Sequence, residues 1–236
     1  MTLANLDWLL GIDLDPAAWL YVAFVGAYLP IGATRARARL AKSTDAPGRA
    51  FRKNAAGAQL VMLTLALALA WTHHIRMLQL PAAAWQWLLV PTAVATVELL
   101  RWMVWKSLTI EQRRALWVRT ILPSRAELPE WTLLTLLASV SEEIAYRGLL
   151  FAVLAAATGS LVVSSLLCAV SFGAAHAPQG ARSQILIGTL GLVFQVLVIV
   201  TGSLLPAMAV HAIANLIAGI RGDKRFRDLD AAQQVA

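Results

Sequence analysis

Residues 138–151 of this 236-residue chain read ASVSEEIAYRGLLF, in which Glu142, Glu143 and Arg147 interrupt an otherwise apolar run. The whole chain is 59% hydrophobic and 14% charged, and its mean hydropathy of +0.67 is typical of a membrane protein. A charged side chain at the centre of a membrane-spanning helix costs about 2.5–3.5 kcal/mol. These three residues therefore need partners or water, which favours a functional site inside the membrane.

The chain contains seven apolar segments, each near the roughly 20 residues that a helix needs to cross a bilayer. The predicted spans are 17–33, 56–71, 83–105, 131–157, 160–177, 184–201 and 206–220. The basic segment 107–122 carries Trp117 and is predicted to be a helix lying on the membrane surface. The predicted fold class is all-α: a polytopic transmembrane helix bundle of about seven spans (six to eight) with one interfacial helix, forming a single transmembrane domain over residues 1–236.

The distribution of basic residues predicts the orientation. Of the 20 lysines and arginines, all but Arg76 and Arg147 fall on the side that alternation of the spans assigns to one face. Basic loops stay in the cytoplasm, so the N-terminus is predicted outside and the C-terminus in the cytoplasm. The net charge of +7 is thus explained by topology, with no nucleic acid as partner. We expect an integral multi-pass protein of the lipid bilayer, in a bacterial cell (inner) membrane, and the sequence leaves its oligomeric state open.

Residue spacing assigns different environments to the two glutamates. Glu143 and Arg147 are four residues apart and lie on one helix face, where they are predicted to form an ion pair. Glu142 is rotated by about 100° from Glu143 in a regular α-helix. Its own i+4 neighbour is Tyr146, so it must find partners on other helices. Glu142 is therefore the candidate for chemistry.

Two further spans carry side chains with the same spacing of four. Phe172 and His176 share a face in one span, and His211 and Asn215 share a face in another. A buried carboxylate helped by an imidazole can deprotonate a water for attack on a carbonyl. An imidazole N–H and a carboxamide can donate hydrogen bonds to the oxyanion that forms. Together with Glu142, these groups predict peptide hydrolysis.

The three segments read as the motifs EExxxR (SEEIAYR), FxxxH (FGAAH) and HxxxN (HAIAN). In this order, on separate spans, they resemble the CAAX protease and bacteriocin-processing (CPBP, or Abi) family of intramembrane glutamic endopeptidases, related to the type II CAAX prenyl endopeptidase. The resemblance implies a catalytic core over residues 131–220. It also implies that Glu142 and His176 activate the water and that His211 and Asn215 form the oxyanion hole. Glu143 and Arg147 would give structural support. The implied mechanism uses no cofactor.

The resemblance names no single substrate, because members cleave prenylated CAAX tails, bacteriocin or pheromone precursors, or the sorting tails of surface proteins. The expected partner is a protein or peptide substrate, and the family's members suggest a lipid modification or a C-terminal sorting tail on it. Phe172, the first residue of FxxxH, is expected to support the site structurally.

Three alternative functions remain open at this point. A zinc-dependent membrane protease could use Glu142, His176 and His211 as ligands with one open position, although no HExxH pair is present. An ion transporter could use Glu142, Glu143 and His176 as a proton relay, although no inverted repeat is evident. A non-catalytic immunity or scaffolding protein could keep the same fold.

Other polar residues within the spans receive structural interpretations. Glu98 and Arg101, three residues apart near the end of the third span, are interpreted as a snorkelling pair. Gln195 is predicted either to make an interhelical hydrogen bond or to line a cavity. Cys168 is interpreted as a small buried apolar residue.

Overall fold

A computed structural model describes residues 12–40, 49–81, 83–113 and 128–234, and the regular structure in these ranges is entirely helical. The longer helices are α1 (Pro16–Tyr21, Val22–Tyr28 and Leu29–Leu40), α2 (Arg49–Thr72), α3 (Leu89–Lys106), α4 (Leu128–Glu142, Glu143–Leu150 and Phe151–Thr158), α5 (Leu161–Ala175), α6 (Ala181–Thr201) and α7 (Leu205–Gln234). Short 3₁₀ turns, Ala84–Leu88 and Ala177–Gln179, precede α3 and α6. The all-α prediction is confirmed for the described part of the chain.

Each predicted span coincides with one of these helices. The segments long and apolar enough to cross a membrane are Pro16–Arg39, Asn54–Thr72, Ala84–Lys106 and Ala181–Thr201. Two further apolar helices, Leu161–Ala175 and Leu205–Arg221, are shorter, and α4 carries Glu142, Glu143 and Arg147 near its middle. The number of spans and the orientation of the termini stay predictions. Most of the segment 107–122, expected to be an interfacial helix, lies outside the described residues.

Helix α4 changes its winding where its charges lie. Glu143–Leu150 is a π-helical stretch between two α-helical parts, and all of its residues are buried. π-helical turns are rare and occur frequently at functional sites. The hydroxyl of Tyr21 in α1 donates to the carbonyl oxygen of Ala145 at 3.1 Å, which gives this irregular turn a partner from another helix. The regular 3.6-residue repeat assumed for this segment is therefore wrong, because a π-helical turn is wider.

Helices α5 and α6 approach each other at backbone distance. A Cβ atom added to Gly173 would lie 2.6 Å from the backbone oxygen of Gln184, and one added to Gly188 would lie 3.1 Å from that of Ala169. Small residues allow such close packing, which is how helices gain contact energy in a medium as apolar as their own side chains. This contact fixes the end of α5, where His176 lies.

The close contact predicts that Gly173→Ala destabilises the protein. Its methyl group would overlap the backbone of α6, and overpacking costs about 1–3 kcal/mol. Thermal unfolding in detergent micelles measures the loss. Gly32→Ala in α1 is the matched control, because its added Cβ meets nothing within 4 Å and alanine favours a helix by up to about 1 kcal/mol over glycine. Equal melting temperatures for the two variants would contradict the packing described.

Candidate active site

Glu142 closes the first part of α4 and is 8% exposed. Its Oε1 accepts a hydrogen bond of 2.7 Å from the side-chain amide of Gln59 in α2. Its Oε2 lies 3.8 Å from Nε2 of His211 in α7, which is too long for a hydrogen bond. The expectation that Glu142 takes its partners from other helices is confirmed. In the described part of the chain no lysine or arginine pairs with this carboxylate.

Gln59 is a residue of the site that the sequence analysis missed. Its Oε1 accepts a hydrogen bond from the Ser141 hydroxyl, while its Nε2 donates to Glu142. This orientation suits an ionised carboxylate, which can only accept hydrogen bonds. The sequence did offer a signal for Gln59, because a carboxamide inside an apolar span usually forms an interhelical hydrogen bond. No motif connected it with Glu142.

Glu143 joins two helices through one oxygen. Its Oε1 lies 3.3 Å from Nη1 of Arg147 and 2.8 Å from Nδ1 of His211. Glu143 is 0% exposed and Arg147 1% exposed, so both charges are removed from solvent. The predicted ion pair within α4 is confirmed. The contact with His211 was not predicted, and it links the EExxxR and HxxxN segments directly.

The guanidinium of Arg147 packs against aromatic rings. It lies 4.0 Å from the ring centroid of Phe172 and 5.5 Å from that of Phe194. A Cβ atom at Gly191 would come within 3.1 Å of its Nη2, so glycine leaves the space that the guanidinium occupies. A desolvated cation–π contact contributes about 2 kcal/mol. Phe172 therefore touches the buried charge itself, consistent with the structural part expected for it.

His176 lies directly after α5 and contacts Phe172 twice. Its Nδ1 is 2.8 Å from the backbone oxygen of Phe172, and the two rings meet edge to face with centroids 4.7 Å apart. Because a carbonyl oxygen only accepts, Nδ1 carries the proton and Nε2 of the neutral ring keeps a free lone pair. The predicted shared face is confirmed. Among the described residues His176 makes no hydrogen bond to Glu142 or His211, and Phe172 connects it to the rest of the site.

His211 lies between the two glutamates. Its Nδ1 faces Glu143 and its Nε2 faces Glu142, while the ring packs at 5.3 Å from the ring centroid of Phe194. With Glu143 ionised, Nδ1 is the donor, and Nε2 of the neutral ring is an acceptor. His211 can therefore donate from Nε2 only when both nitrogens carry protons. This condition applies to the oxyanion-binding role expected for it.

Asn215, one turn beyond His211, has a different set of contacts. Its Oδ1 accepts a hydrogen bond of 2.8 Å from Nη2 of Arg101 in α3. Arg101 also pairs with Glu98 at 3.3 Å, so that predicted pair exists. The guanidinium of Arg101 also reaches α7, which the interpretation as a snorkelling pair within one helix did not predict.

The possible metal ligands do not converge. Among the residues that the structure describes, no three His, Cys, Asp or Glu side chains are placed to hold a metal ion. Glu142 and His211 approach each other, but His176 does not complete a set with them. The ligand set of the zinc alternative is therefore not assembled in this geometry.

Gln195 and Cys168 are both buried within their helices. Gln195 is 1% exposed, and neither its Nε2 nor its Oε1 has a hydrogen-bond partner within the described ranges. The interhelical hydrogen bond proposed for it is thus not formed there. Cys168 is buried and unpaired by any disulfide, as expected for a small apolar residue.

The fold and the site together define a helical protein with membrane-spanning segments and a buried glutamate–histidine centre. Residues 124–217 match the family model described as type II CAAX prenyl endopeptidase Rce1-like. This region contains all three motifs, so the family resemblance drawn from them is confirmed. The matched family consists of membrane proteases. No curated protein and no solved structure gives a significant match to the chain.

The contacts predict that the two glutamates differ in their effect on stability. Glu143→Gln leaves Arg147 buried without its counter-charge, and breaking a buried pair costs about 3–5 kcal/mol. Glu142→Gln keeps an oxygen that can accept from Gln59 and leaves no buried arginine unpaired, so its cost should stay within about 1 kcal/mol. Thermal unfolding and folded yield in detergent measure both variants. Equal losses would contradict the assignment of Glu143 as the structural carboxylate.

Proposed function

We propose that the protein is a glutamate-dependent intramembrane endopeptidase that hydrolyses a peptide bond near the tail of a membrane-associated protein or peptide. The observation that carries the proposal is the buried carboxylate of Glu142, which has no arginine or lysine partner in the described part of the chain and whose Oε2 faces Nε2 of His211 at 3.8 Å. Residues 131–220 form the catalytic core of a single transmembrane domain. The basic residues between the predicted spans support a cytoplasmic C-terminus, and the proposal places the protein in a bacterial inner membrane.

Glu142 acts as the general base in this proposal. Gln59 holds Oε1, which leaves Oε2 to accept a proton from a water molecule. His176 is the second water-activating group in the proposal, and its Nε2 keeps a lone pair because the Nδ1 proton is held by the Phe172 carbonyl. The water oxygen adds to the scissile carbonyl carbon as its proton moves to the base. That proton then passes to the leaving amine nitrogen when the C–N bond breaks.

The carbonyl oxygen becomes an oxyanion in this step and needs donors. Asn215 supplies its Nδ2 group, because its Oδ1 is already engaged by Arg101. His211 supplies Nε2–H in its doubly protonated form, with Nδ1 held by Glu143. A preorganised donor of this kind contributes on the order of 10²–10³ in rate.

The proposal predicts that Glu142→Gln abolishes turnover in folded protein. The amide cannot accept the proton from water, and loss of a general base lowers kcat by about 10²–10⁴. Cleavage is measured in proteoliposomes with fluorescence-quenched peptides: a farnesylated CAAX peptide, its unmodified counterpart and a peptide with an apolar sorting tail. Whichever peptide the wild type cuts also gives the substrate class.

Glu130→Gln is the matched control for this experiment, because it removes a carboxylate from the same helix at an exposed position. It should leave kcat unchanged. Full turnover by folded Glu142→Gln protein would overturn the mechanism. A wild type that cuts none of the peptides, with Glu142→Gln indistinguishable from it, would instead favour a non-catalytic protein.

The zinc alternative makes an opposite prediction about chelators. We expect wild-type cleavage to be unchanged after incubation with EDTA or 1,10-phenanthroline, because Glu142, His176 and His211 do not form a ligand set. Activity that is lost in chelator and restored by added zinc would establish the metal-dependent protease. The inactive Glu142→Gln variant gives the background signal.

A further inference from the structure

We propose that Arg101 is a positioning residue that orients the carboxamide of Asn215 toward the oxyanion, an inference that rests on the proposed function. Arg101 belongs to α3, and its side chain is 25% exposed. Its Nη2 donates to Oδ1 of Asn215 at 2.8 Å, and its Nη1 donates to the backbone oxygen of Ala214. Both acceptors belong to α7, so one guanidinium donates hydrogen bonds to two successive residues of the neighbouring helix.

The chemistry of the guanidinium decides which way the carboxamide points. Arginine has five N–H donors and no acceptor, so Asn215 can face it only with Oδ1. The donor half of the carboxamide, Nδ2, is consequently turned away from Arg101. A carboxamide without such a neighbour can rotate by 180° and present its oxygen to the substrate carbonyl, where two acceptors would repel. Fixing the donor before the reaction is the requirement for electrostatic stabilisation of an oxyanion.

Glu98 holds Arg101 in place and extends the contact along α7. Its Oε1 lies 3.3 Å from Nη1 of Arg101, and its Oε2 lies 2.6 Å from Nη1 of Arg221. The acid thus bridges an arginine of α3 and an arginine of α7. These ion pairs join the two helices, so Arg101 also has a bracing function. A useful experiment must separate the orientation of Asn215 from the bracing of the helices.

A double-mutant cycle makes this separation. Arg101→Met, Asn215→Ala and the double variant are compared by kcat and KM on the peptide that the wild type cleaves. We expect Asn215→Ala to lower kcat by about 10²–10³ and Arg101→Met to lower it by about ten- to a hundredfold, with little change in KM. In the Asn215→Ala background, Arg101→Met should lower kcat no further, because the group that it orients is gone.

Two companion variants control for charge and for bracing. Lys106→Gln removes a cation from the same helix, where its Nζ lies over the Trp102 ring at 4.1 Å, and should leave kcat unchanged. Glu98→Gln removes the ionic brace but keeps the Arg101 contact with Asn215, so it should lower the melting temperature more than kcat. If Arg101→Met fails to fold, Arg101→Lys enters the same cycle, since lysine keeps the charge without the fork of donors.

The possible results are distinct. An equal loss of kcat on Arg101 substitution in both backgrounds assigns Arg101 to bracing alone and overturns the inference while leaving the proposed function intact. If Arg101→Met lowers kcat only when Asn215 is present, the orienting role is established. If wild-type protein and Glu142→Gln are both inactive on every peptide, the proposed function fails, and the inference fails with it.

Discussion

The burial of Glu143 and Arg147 is the constraint on which the rest of this bundle depends. Two charges with almost no exposure must compensate each other and find further contacts, because each alone would cost several kcal/mol in an apolar interior. Glu143 obtains a second contact from His211 in α7, and Arg147 obtains aromatic faces from α5 and α6. The charge pair within α4 therefore determines where three other helices lie.

Each of the four candidate catalytic groups is oriented by a neighbour that performs no proposed chemistry. Gln59 holds Glu142, and the carbonyl oxygen of Phe172 holds His176. Glu143 holds His211, and Arg101 holds Asn215. Three of these contacts join different helices, and the fourth, between Phe172 and His176, lies at the end of α5. In the proposed mechanism, such preorganisation stabilises the developing charge without any rearrangement during the reaction.

The sequence predicted those features that depend on composition and on local spacing. Long apolar runs marked the helices, and a separation of four residues brought Glu143 to Arg147 and Phe172 to His176. The contacts of Gln59 and Arg101 could not be predicted in this way, because their partners lie 83 and 114 residues away in the chain. The π-helical turn was missed because a regular helical repeat was assumed. Sequence spacing shows which residues share a face, but not which helix that face meets.

The backbone contact between α5 and α6 restricts how a peptide can reach the site. Where Gly173 and Gly188 meet, the separation is too small even for one added methyl group. A peptide chain arriving from the plane of the bilayer cannot pass between these two helices at that level unless the helices separate. The two helices are therefore closed against each other at this level, and in the proposed function a peptide enters the bundle on another side.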